Sequence, residues 1–81
     1  MTGYHVTTKA KVKRYLATGC ILPPVRFWAF ENSARAWGEK CSRDTVLKIE
    51  VKEVHPLPDH KPKGHAYWAD EFVRKWEDLS K

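Results

Sequence analysis

Val25-Arg26-Phe27-Trp28-Ala29-Phe30 is apolar at odd and even positions alike, with Arg26 the one exception. A strand with one wet face alternates apolar and polar side chains, whereas a strand apolar throughout must be covered on both faces. The run therefore predicts a central strand in a sheet with structure layered around it. That requirement organises the rest of the chain.

On the amino-terminal side, Pro23-Pro24 prevents a preceding helix from running into the strand. Gly19 supplies the left-handed residue that ends such a helix, with Ile21 placed for the apolar contact that accompanies the cap. Within the helix Thr8, Val12, Tyr15 and Leu16 share one face, Lys9, Lys11, Lys13 and Arg14 take up the remainder, and Thr7 or Thr8 can cap its start. Tyr4 to Thr7, short, β-branched and aromatic, predicts a first strand.

On the carboxyl-terminal side, Asn32 is a suitable N-cap for a second helix, in which Ala34, Trp37 and Cys41 recur on one face and Gly38 permits a close approach. Thr45 to Val54 alternates strictly, Leu47, Ile49 and Val51 against Lys48, Glu50 and Lys52, which predicts a strand with one wet face. Prolines, an aspartate and lysines make His55 to Gly64 a loop. His65 to Trp68 suits a short returning strand, and Phe72, Val73, Trp76 and Leu79 fall on one face of an expected C-terminal helix. The expectation is a single α/β or α+β domain over residues 1–81: a small three- to four-stranded sheet, mixed or mainly antiparallel, with two or three short helices packed on it.

In a chain of 81 residues, four Trp, three Tyr and three Phe supply much of whatever core can form. Fifteen Lys and Arg against ten Asp and Glu leave a net charge of +5, which attracts polyanions at long range. No Gly-x-Ser-x-Gly, glycine-rich phosphate loop or His-Glu-x-x-His is present, so serine hydrolase, P-loop and zinc peptidase readings lose their usual support. His55, His60 and His65 fall five residues apart in a proline-rich stretch, a spacing that does not converge ligands, and no metal site is expected. Cys20 and Cys41 form no Cys-x-x-Cys pair, and no apolar stretch suits a signal peptide or a membrane span, so a reduced, cytoplasmic protein is expected.

Tyr4-His5-Val6-Thr7 resembles the Tyr-His-Gly-Thr first-strand motif of the ADP-ribosyltransferase superfamily, in its diphtheria-toxin and poly(ADP-ribose) polymerase branch. Phe27-Trp28-Ala29, followed by an alanine-bearing helix ending near Trp37, resembles that branch's second motif, Tyr-Phe-Ala leading into a helix that carries another tyrosine. The resemblance covers about residues 3–54 and implies a minimal version of that fold with a cleft for NAD, or another nucleotide-like ligand, beside the first strand. It implies that His5 contacts ribose, that Thr7 is a supporting polar group, and that Phe27 or Trp37 offers a stacking surface. Val6 replaces the family's glycine, Phe27 and Trp37 replace its tyrosines, and the late glutamates Glu71 and Glu77 lack the context of its catalytic glutamate. The contrasting expectation is a basic, non-enzymatic module that binds nucleic acid or an acidic protein through Lys9, Lys11, Lys13, Arg14, Lys61 and Lys63.

Overall fold

The computed structural model describes residues 1–58 and 65–80. Its elements run β1 (Thr2–Thr7), α1 (Lys9–Thr18), β2 (Val25–Trp28), α2 (Glu31–Lys40), β3 (Thr45–Glu50), β4 (His55–Pro56), β5 (Ala66–Ala69) and β6 (Trp76–Asp78). The strands form one sheet in the order β4-β5-β2-β1-β3-β6, every neighbouring pair antiparallel. The architecture is α+β, as the sequence predicts, with β1 and β2 at its centre.

Alternation sorts the side chains into two cores. Val25 and Phe27 of β2 point into a first core with Ile21, Leu47, Ile49, Val51, Ala69 and Val73. Trp28 points the other way, into a second core with Val6, Ala34, Val46 and Ala66. The strand expected to be covered on both faces is so covered, and Arg26 stays exposed. Helix α2 lies over the second core through Ala34 and Gly38. A Cβ on Gly38 would meet the Arg43 carbonyl at 2.8 Å, so glycine is what lets the following loop fold back on the helix.

Helix α1 is bound far more lightly. Thr8 caps it by accepting from the Lys11 N–H, and Gly19 ends it in the left-handed region at φ 82°, donating to the Tyr15 carbonyl. None of its residues is buried. Val12 and Tyr15 alone pack against the first core, whereas Leu16, grouped with them by the helical wheel, is 67 % exposed. The apolar arc is narrower than the wheel suggests because the packed contact is a single i, i+3 pair.

Several expectations are corrected. The sheet has six strands instead of three or four, because its outer strands come from stretches that resemble a loop and a helix. In place of the C-terminal helix, Val73 bridges Ile21, and β6 pairs with β3 at Ile49↔Trp76, Lys48↔Glu77 and Leu47↔Asp78. Pairing satisfies the outer N–H and C=O groups of β3 and sends Trp76 and Leu79 to opposite cores, which a helix face would not do. Phe72, expected on that face, is exposed. Strand β3 ends at Glu50 short of Val54, and its wet face begins only at Lys48, because Val46 is buried under α2. Helix α2 begins at Glu31, with Phe30 in the N-cap position and Asn32 in the first turn, and Glu31 pairs with Arg35 at 2.8 Å.

Candidate functional site

β1 pairs with β3 at six positions and β2 with β5 at four, yet β1 and β2 meet at one, Tyr4↔Trp28. Beyond that pair the two central strands part. The Arg26 carbonyl, which would otherwise accept from the ladder, is taken by a side chain: His5 Nδ1 lies 2.6 Å from it. Where the strands separate, a cavity of about 480 Å³ opens, bounded by the carboxyl-terminal part of β1, the start of β2, α1 and the end of α2.

The hydrogen bonds fix the state of the imidazole. A carbonyl can only accept, so Nδ1 carries the hydrogen, and in the neutral ring Nε2 is then the acceptor for the Tyr15 hydroxyl at 3.1 Å. With its only hydrogen committed to His5, the Tyr15 oxygen accepts from Thr7 Oγ1 at 3.4 Å. The chain of donors runs from Thr7 through Tyr15 to His5 and ends on the strand carbonyl. Thr7 is fully buried and does not line the cavity, so the polar group it supports is Tyr15.

Burial pushes the His5 pKa below its ordinary 6.5; the Arg26 carbonyl bond pulls upward, and Lys11 and Arg43 push it further down. The unfolded chain thus takes up a proton at a higher pH than the native state does. Stability should hold above about pH 6.5 and decline as pH falls below it, until the lowered native value is reached. Urea midpoints measured between about pH 7.5 and 5.5 should show this decline in the wild type and a flatter profile in His5→Asn. Parallel profiles would mean that another group sets the slope.

The remaining cavity walls are cationic. Lys11, Arg14, Arg26 and Arg43 line it, and among the described residues no carboxylate does. Phe27 also lines it but is 2 % exposed; its ring lies across Gly3 and stacks on Tyr67 at 6.0 Å, so it serves the core before it serves any ligand. Trp37 belongs with Val6 and Trp28 on the second-core face, opposite His5, and all three line the same cavity, whose walls draw on both faces of the sheet. The structure thus unites His5 and Tyr15 at one wall and sets Trp37 across the sheet from them.

Lys9, Lys11, Lys13 and Arg14 are all exposed on α1, and the cavity takes Lys11 and Arg14 but not Lys9 or Lys13. Lys61 and Lys63, with His60, lie outside the described residues. His55 packs against the Trp68 ring at 4.5 Å, and His65 Nδ1 lies 3.1 Å from Ser33 Oγ. Among the described residues no three His, Cys, Asp or Glu side chains gather as a metal set. Cys20 and Cys41 are free thiols. No described helix is long and apolar enough to cross a membrane.

Tyr15 and Arg43 were not legible as site residues. Tyr15 has the periodicity of a packed residue, and Arg43 follows α2 with no pattern around it. Arg26 did leave a signal, as the one charge inside an apolar strand. The chain matches no family model, no curated protein and no solved structure.

Proposed function

We propose that this chain binds a phosphate-bearing, nucleotide-like ligand, NAD being the first candidate, in the cleft where β1 and β2 part. The observation that carries this reading is the cleft's lining: four cations, an imidazole hydrogen-bonded to a phenol, the indole rings of Trp28 and Trp37 and, among the described residues, no carboxylate. Guanidinium and ammonium groups match phosphate oxygens, and a flat ring suits a base or pyridinium. The volume of about 480 Å³ falls in the range of small-molecule sites. The same lining favours binding over glycosyl transfer, since among the described residues no acid lines the cleft to stabilise positive charge developing on a sugar. The two free thiols accord with a reducing, cytoplasmic setting.

Calorimetric titration with NAD and with ADP, followed in parallel by tryptophan fluorescence, tests the reading. Saturable binding is expected, with a change in emission because Trp37 lines the cleft and lies 5.8 Å from Trp28. No heat and no spectral change at millimolar nucleotide would overturn it. A single-stranded oligonucleotide that bound instead, with an affinity collapsing as salt rises, would replace it with the basic-surface reading.

A further inference from the structure

We infer that Tyr15, held in place by His5 and Thr7, is the hydroxyl that meets the ligand in this cleft, and that His5 is a positioning residue rather than a ligand contact. The inference rests on the binding reading above and names the part of the ligand this wall recognises. Both imidazole nitrogens are already occupied, Nδ1 by the Arg26 carbonyl and Nε2 by the Tyr15 hydroxyl. A ligand group could reach His5 only by breaking one of these bonds. Tyr15 also lines the cavity, and its oxygen, giving one hydrogen and receiving one from Thr7, retains a lone pair.

This arrangement has a direction. While His5 is neutral, the Tyr15 hydrogen is committed inward, so towards the cavity the phenol can only accept. The group it recognises must therefore donate, as a sugar hydroxyl does and a bare phosphate does not. The four cations take the phosphates, and Tyr15 takes the hydroxyl-bearing part. Around the pair, Lys11 on α1 and Arg43 after α2 oppose protonation of His5. Arg26 on β2 contributes its carbonyl, and Asp78 of β6 stands on the same face across Leu47. Tyr15 is steadied further by the edge of Trp76 at 6.1 Å.

The test uses NAD, which carries sugar hydroxyls, and inorganic pyrophosphate, which carries none, on the full chain near neutral pH. Tyr15→Phe keeps the ring and its packing. It should weaken NAD about five- to tenfold, the cost of one neutral hydrogen bond, and leave pyrophosphate within about twofold. His5→Asn should weaken NAD by a similar factor, and the double variant should be no worse than either single one, because both remove one oriented group. If neither probe binds the wild type, the cleft reading itself fails. If both bind and Tyr15→Phe leaves NAD unchanged, or His5→Asn alone weakens it, the cleft stands and Tyr15 is not its contact. Equal weakening of both probes by Tyr15→Phe would also overturn the assignment. Should Tyr15→Phe not fold, the fluorine resonance of fluorotyrosine at Tyr15 gives the same answer: it should move with NAD and stay with pyrophosphate, and a resonance indifferent to NAD would reject the contact.

Discussion

Replacing Phe27 by alanine is expected to leave the chain unfolded at room temperature. The ring is almost wholly buried in the first core, stacked on Tyr67 and laid across the backbone of β1 at Gly3. Truncating a buried phenylalanine to alanine costs about 3–5 kcal/mol, and a core of this size supplies only about 3–5 kcal/mol in total. The same contact can be probed from the opposite strand. A Cβ on Gly3 would overlap the Phe27 ring, so Gly3→Ala should lose about 1–3 kcal/mol through overpacking. Because the two changes act on one volume, Gly3→Ala should cost less in a Phe27→Leu background than in the wild type. Urea denaturation of the four proteins measures this coupling. A Gly3→Ala protein as stable as the wild type would show that the ring does not press on the strand.

Reversing two charges in the cleft, Arg26→Glu with Arg43→Glu, is expected to abolish measurable nucleotide binding while the fold persists. Both residues are exposed, and neither is part of a core. Each charge-assisted hydrogen bond to phosphate contributes about 1.5–3 kcal/mol, so losing two and adding repulsion should lower affinity by more than about a hundredfold. The control is Lys9→Glu with Lys13→Glu, which makes the same change in net charge on the part of α1 that does not line the cavity. Calorimetry at moderate salt should find the control within a few-fold of the wild type. An equal loss in both proteins would mean that general attraction of a +5 chain, not the cleft, governs binding.

The centre of the fold was readable because its signals are local. The two-sided apolar run of β2, the alternation of β3, the glycine stop after α1 and the close approach at Gly38 each follow from residue type and spacing over a few positions. The edges were not. Trp76 to Asp78 has helical spacing with its neighbours and becomes a strand because β3 offers an unpaired edge, a fact about a strand almost thirty residues earlier in the chain. His55-Pro56 has the composition of a loop and still pairs with β5, at an edge where the proline's missing N–H costs nothing. The site divides along the same line. His5 stood out because histidine on a first strand is chemically conspicuous, whereas its bond to Tyr15 is made by folding α1 back over β1, and the helical wheel assigned that tyrosine to packing. The resemblance implies one cleft shared by His5 and a stacking ring from Phe27 or Trp37; which face of the sheet α2 covers is decided by packing, and α2 carries Trp37 to the face opposite His5.

The thinly paired centre of the sheet has a mechanical consequence. β4, β5 and β2 make one leaf and β1, β3 and β6 the other, hinged along a crease where main-chain bonding is sparsest. The backbone passes from one leaf to the other four times, through α1, through α2, between β3 and β4 and between β5 and β6, so the halves stay stitched together even though few rungs join them. Spreading the crease sacrifices little of the ladder, and what spans it is side chains: the His5 imidazole, and the first core, which draws Phe27 from one leaf and Leu47 and Ile49 from the other. The width of the gap is therefore set by side chains, and it can be tuned by substitution without rebuilding either leaf.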